Sequence, residues 1–182
     1  MDLFTVFFIA VALAMDAFTV SVAAGVVITK NRTKIALTLA ICFGIFQAGM
    51  PIIGYLAGIA ISDFVTFWAP LIGFLLLFAI GAKMCYEGIT DREEKKHRDY
   101  TSPAIILMLS VATSIDALAV GLGFAVLGTP ILGPAIIIGI VTLILSFAGF
   151  FGGNLAGEKI GSKAEILGGI ILILISLKIL LF

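Results

Sequence analysis

Two aspartates stand in the middle of long apolar runs: Asp16 in AVALAMDAFTVSVAAG and Asp116 in SVATSIDALAVGLGFA. If those runs cross a bilayer, each carboxylate costs roughly 2.5–3.5 kcal/mol on insertion scales. A cost of that size is kept for a use. The plainer reading is that each is a protonated acid bonded to a neighbouring helix. A second feature favours a shared use. The two segments align at an offset of 100 residues, so that Ala12, Asp16, Ala17 and Val20 meet Ala112, Asp116, Ala117 and Val120. Small or hydroxyl residues share each aspartate's helical face: Ala12, Thr19 and Ala23 with Asp16, and Ala112, Thr113, Ala119 and Gly123 with Asp116. Such a stripe lets helices approach and leaves room for an ion.

Gln47 offers a third group. It shares a face with Gly44, Pro51, Gly54 and Gly58. Pro51 has no N–H for the carbonyl four residues earlier, which is that of Gln47. One depth then holds an amide oxygen and a freed main-chain carbonyl. The plainer reading is a proline kink with the amide bonded inside the bundle. The matching face further along holds Thr142, Ser146, Gly149 and Gly153, with Ser146 answering Gln47. Carboxylate, amide, hydroxyl and carbonyl oxygens suit hard cations such as Mg²⁺, Mn²⁺ and Ca²⁺. The one His, His97, lies in a hydrophilic stretch, which argues against a zinc or copper site of the usual sort. Met15 and Met50 adjoin the proposed ligands but point elsewhere on a helix, and read as packing.

The elements that must position these groups are transmembrane helices. Apolar residues make up 62% of the chain and charged residues 12%. A soluble domain carries about twice that charge. Asp2 is the only charge ahead of Asp16, so the N-terminus reads as a retained helix, not a signal peptide. Cys42 and Cys85 have no CxxC partner and read as buried small residues. The pattern predicts helices at 3–27, 35–58, 69–88, 103–127, from about 135 to 156, and 164–182. The joining segments are a basic turn, a link at 59–68, the hydrophilic DREEKKHRDY, the uncharged GTPILGP, and GEKIGSK.

Lys30, Arg32, Lys34, Arg92, Lys95, Lys96, Arg98, Lys159 and Lys163 all fall in the first, third and fifth joining segments. Positive charge stays on the cytoplasmic side, so both termini are expected outside. Three helices per half then place the second half upside down. The expected fold is an all-α membrane protein of six transmembrane helices in a 3+3 inverted-topology repeat. Its parts are residues 1–90, a cytoplasmic hinge at 91–102, and residues 103–182. GYLAG at 54–58 matches GNLAG at 153–157, and Lys83 is matched with Lys178. This is a common transporter plan with the site near the midplane. Lys83 and Lys178 read as snorkelling near helix ends. Glu87 and Glu165 are candidates for a cytoplasmic access path, Glu165 also opening the sixth helix, where the dipole favours an acid. The loop with His97 reads as a solvated hinge.

AMDAFTVSVAAG, ATSIDALAVGLGF, the stretch 44–58 and KAEILGGIILI together resemble the manganese efflux pump family of bacteria and archaea, the MntP type. The resemblance covers essentially the whole chain. It implies six helices, a plasma-membrane location, Mn²⁺ as exported substrate, and a functional need for Asp16 and Asp116. Some members carry Glu where this chain has Gln47. Manganese and the outward direction come from the resemblance alone. No enzyme activity, cofactor or nucleic-acid partner is expected; the partners are the cation and the lipid bilayer. The rivals are an exporter of another divalent metal or of a cationic amino acid, an intramembrane aspartyl protease, and a structural membrane protein. Proteases of that kind carry YD and GxGD motifs, and here the aspartates follow Met15 and Ile115. Coupling ion, affinity and oligomeric state are not written in these residues.

Overall fold

A computed structural model describes residues 2–65, 69–90, 100–156 and 158–181, with side-chain surroundings for 2–60, 71–90, 100–153 and 163–180. Trp68, His97 and most of the proposed hinge lie outside the described residues, and Asp63 falls where only the helix is described.

The elements are α1 (Leu3–Val27), α2 (Arg32–Val65), α3 (Ala69–Thr90), α4 (Pro103–Val126), α5 (Leu132–Ala156) and α6 (Glu158–Leu181). Among the described residues, five helices, α1 to α5, are long and apolar enough to cross a membrane. Helix α6 has 24 residues and carries Lys163, Glu165 and Lys178. The surface is the reverse of a soluble protein's. Phe4, Ile45, Leu75, Met108, Ile144 and Leu174, one from each helix, face outward, whereas Gln47, Ser110, Thr142 and Ser146 are buried. In lipid, backbone polar groups must be satisfied within the helix, which is why long uninterrupted helices form.

The helix ends show why the expected boundaries shift. Helix α2 begins three residues earlier than expected. Arg32 ties the turn by donating to the carbonyls of Gly25 (3.0 Å) and Ile28 (2.6 Å). It also runs on to Val65, through much of the expected link. Helix α5 begins at Leu132, because a proline in the first turn, Pro134, lacks only an N–H that would have no partner there. Helix α4 starts on Pro103 and ends at Val126, and just beyond it Gly128 has a φ of +65° that suits glycine. The Thr129 N–H reaches the Phe124 carbonyl and the Gly128 N–H that of Ala125, closing the end. Helix α6 begins at Glu158, so most of the expected GEKIGSK turn is helix. Glu165 is therefore two turns inside α6, not at its opening.

Helix α1 packs along α5 and α6, α2 along α4 and α5, and α3 along α6, with a thinner seam to α4. Close approach depends on glycine. A Cβ on Gly25 would lie 1.8 Å from the Phe150 carbonyl oxygen, and one on Gly54 1.9 Å from that of Leu118. One core joins Ile9, Leu13, Met15, Met84, Phe124 and Leu172. A second joins Phe43, Leu109, Phe150 and Tyr100. Tyr100 closes the stretch expected to be a solvated hinge, yet it is 2% exposed, because its ring caps this second core.

Candidate cation-binding centre

Asp16 is the fourteenth residue of α1 and Asp116 the fourteenth of α4. The charges of Asp116, Glu165, Lys83 and Glu87 all act on the Asp16 carboxyl. Asp16 of α1 thus lies within electrostatic reach of acids on α3, α4 and α6 and of the Lys83 ammonium. Packing explains the convergence. Gly168 of α6, one turn after Glu165, sits against Ala12 and Met15 of α1 and Met84 of α3, so bulk there would push these helices apart.

Asp116 is 7% exposed, and the Lys83 ammonium donates to both its carboxylate oxygens, at 3.1 and 3.3 Å. The same Nζ lies 3.7 Å from Glu87 Oε1, one turn along α3. Lys83 was expected to snorkel to the headgroups. Instead it turns inward, because a buried carboxylate within reach is a stronger attraction than a distant interface. Lys178 does sit at the periphery, 3.0 Å from Thr5 Oγ1 and 3.5 Å from Asp2 Oδ1. The Thr5 hydroxyl, with help from Lys178, holds the exposed Asp2 carboxyl below its ordinary range.

Gln47 is fully buried. Its Nε2 donates to the Leu13 carbonyl at 2.9 Å, which anchors it one turn from Asp16 along α1. That bond turns Oε1 away, and Oε1 has no hydrogen-bond partner. Asp16 Oδ1, Ser21 Oγ, Thr142 Oγ1 and Ser146 Oγ are likewise buried and unpartnered. Each such atom costs about 1–3 kcal/mol if nothing binds it. They belong to α1, α2 and α5, which pack on one another. Thr19 is 5% exposed on the Asp16 face. Thr113 donates weakly to its own helix at the Ser110 carbonyl (3.4 Å), and Ser114 does so at 2.7 Å. A hydroxyl that donates still has lone pairs to offer a cation. The Pro51 carbonyl points at Gly121, where a Cβ would meet it at 2.0 Å.

Acid and amide groups of this kind inside an apolar bundle invite comparison with known proteins. A model of the family described as "putative manganese efflux pump" matches residues 30–180. A "Putative manganese efflux pump MntP" of Methanosarcina acetivorans is 48% identical over 180 residues, 99% of this chain and 96% of that protein. One of Methanothermobacter thermautotrophicus is 47% identical over 181 residues, 100% of this chain and 97% of that protein. One of the bacterium Aliarcobacter butzleri is 44% identical over 177 residues, 97% and 98% of the two. The chain belongs to the manganese efflux pump family. No solved structure matches it.

For a member of a pump family, the arrangement has a consequence. Among the described residues no three His, Cys, Asp or Glu side chains come together in a ready metal cage. A cation held between Asp16 and Asp116 would take its remaining ligands from neutral oxygens such as Gln47 Oε1, or from water.

Sequence reasoning placed Thr142 on the face of Ser146 but missed Lys83 and Ser21 as polar groups of this interior. The signal for Lys83 was its distance from the helix end: it is seven residues before Thr90, about 10 Å of rise.

Proposed function

We propose that this chain exports Mn²⁺ from the cytoplasm across the plasma membrane. The cation passes a site formed by Asp16 and Asp116 with Gln47 Oε1. Thr19, Thr113 and Ser146 support it, Pro51 frees the Gln47 carbonyl, and Glu87 and Glu165 line the cytoplasmic approach. The observation that carries the reading is that Asp116, buried on α4, and Asp16, whose Oδ1 is buried at the corresponding place on α1, lie within electrostatic reach of each other, in a chain of this family.

All six helices cross the membrane in this reading, as two inverted halves at 1–90 and 103–182. The packing supports the inversion. An exchange of halves turns the α1–α5 pair into α4–α2, and α1–α6 into α4–α3. At the crossings of α2 with α5 and α3 with α6 the contacts are reciprocal. Gly44 and Gly139 each face the other's carbonyl, as do Gly81 and Gly169. Gly54 and Gly58 lie on Leu118 and Leu122, while Gly149 and Gly153 lie on Phe18 and Val22. In this register Thr142, not Ser146, takes the place of Gln47, and Lys178 is not the counterpart of Lys83.

Everted vesicles containing the protein should accumulate Mn²⁺ in preference to Mg²⁺, Zn²⁺, Cd²⁺ and Co²⁺ at equal concentration. Preference for another ion, or for a cationic amino acid, would move the reading to that substrate. Orientation has its own test. Reporters fused after Phe182 should signal an external terminus, and one inserted at Lys95 a cytoplasmic loop. A cytoplasmic signal at the C-terminus would overturn the external termini and the inverted halves together.

A further inference from the structure

Lys83 is the one basic residue whose charge lies against a proposed ligand among the described residues. Its ammonium spans both oxygens of Asp116 at 3.1 and 3.3 Å, and the next-nearest acid, Glu87 Oε1, is 3.7 Å away on the same helix. The Lys83 side chain is 45% exposed and that of Asp116 9%, so the stem has room to move while the carboxylate is fixed. The acids that act on this ammonium are Asp116 of α4, Asp16 of α1 and Glu87 of α3, and Glu165 of α6 acts on Asp16 beside it.

We propose that Lys83 is a tethered counter-cation, which holds the Asp116 carboxylate between transport events and passes to Glu87 when the substrate cation arrives. The proposal rests on the reading of Asp116 as a ligand. The physical reasons are charge and distance. A divalent ion brings two charges to the carboxylates where the ammonium brings one, so it displaces the ammonium once it enters. Glu87 keeps the displaced ammonium paired, so the half-exposed cation is not left uncompensated beside the incoming ion, a situation that would itself oppose binding. When the cation leaves, the tether returns the ammonium at an effective concentration of millimolar order or more. Asp116 is then never left bare, and release is assisted by a competitor that cannot diffuse away. Lys83 is thus a positioning residue that sets affinity and release.

The test compares the purified full chain with Lys83→Met, Lys83→Arg and Glu87→Gln, using Mn²⁺ itself as the probe. Lys83→Met should bind Mn²⁺ at least about tenfold more tightly, about 1.4 kcal/mol. It should melt lower in chelator, gain a larger Mn²⁺-induced rise in melting temperature, and turn over more slowly at saturating Mn²⁺. Lys83→Arg should restore an affinity near the parent's. Glu87→Gln should move affinity the other way, because the ammonium loses its second acid. A merely structural lysine would not give opposite signs in the two variants. An unchanged or weaker Mn²⁺ affinity in folded Lys83→Met overturns the proposal. So does a Glu87→Gln variant that binds Mn²⁺ more tightly. Asp116→Asn separates the levels: if it binds Mn²⁺ like the parent, the two-carboxylate reading fails. If it loses binding while Lys83→Met leaves affinity unchanged, only the role of Lys83 fails.

Discussion

Asp16→Asn and Asp116→Asn should each bring Mn²⁺ export down to the level of vesicles without the protein, yet only the second should cost stability. The substitution is nearly isosteric and removes one negative charge. For a hard cation held largely by two carboxylates, that loss cannot be offset by neutral oxygens alone. The two sites differ in what they leave behind. Asp16 Oδ1 is buried without a partner, so Asn there removes a charge the fold does not use. The Asp16→Asn protein should melt at or above the parent's temperature. Asp116 is held by Lys83 at 3.1 Å, so its Asn variant leaves an ammonium short of its main partner. Breaking a fully buried pair costs about 3–5 kcal/mol; with Lys83 half-exposed and still in contact with Glu87, the loss here should fall below that range. Export assays beside melting curves in detergent would check both halves. If Asp16→Asn lost as much stability as Asp116→Asn, Asp16 would be a structural anchor. If either exported Mn²⁺ like the parent, the two-carboxylate site would be abandoned.

The aspartates were legible because a charge inside an apolar run stands out in any window of 20 residues. The six helices were legible for the same reason inverted: polar joining segments stand out from apolar runs. What sequence could not supply was depth for residues near an end. Glu165 looked like the opening of a helix because the GEKIGSK stretch is polar, but the helix is already under way at Glu158. Lys83 looked like a snorkelling lysine because its partner is 33 residues away on another helix. The small-residue stripe held on α1, where Ala12, Thr19 and Ala23 are buried, and held only in part on α4. Faces drawn through the aspartates selected Ala112 and Gly123. Ala112 is exposed, and a Cβ on Gly123 would find only Leu76 Cδ1 at 3.9 Å, whereas Gly121 carries the tight contact. A single chain's helical wheel says which residues share a face, not which face meets a neighbour's backbone.

Gly54→Ala and Gly25→Ala should each prevent the bundle from closing, while Gly49→Ala should be harmless. The obstacle at Gly54 is the Leu118 carbonyl oxygen, 1.9 Å from where the Cβ would go, and at Gly25 it is that of Phe150, at 1.8 Å. Both oxygens belong to helix backbone, which cannot rotate aside as a side-chain tip could. The helices must part by more than an ångström. Overpacking of a core commonly costs about 1–3 kcal/mol, and a rigid backbone clash should exceed that range. Gly49 has nothing within 4 Å of its would-be Cβ. Ala there should be neutral or stabilising by up to about 1 kcal/mol, from helix propensity alone. The comparison also bears on the site. Gly54 and Gly121 hold α2 against α4, and α2 carries Gln47 while α4 carries Asp116. A gap at Gly54 would shift α2 against α4 and so disturb the proposed site even where the chain still inserts. Melting temperature and Mn²⁺ affinity of the detergent-purified variants would show this. Gly54→Ala should lose both, and a Gly54→Ala protein as stable as Gly49→Ala would disprove the close backbone contact between α2 and α4.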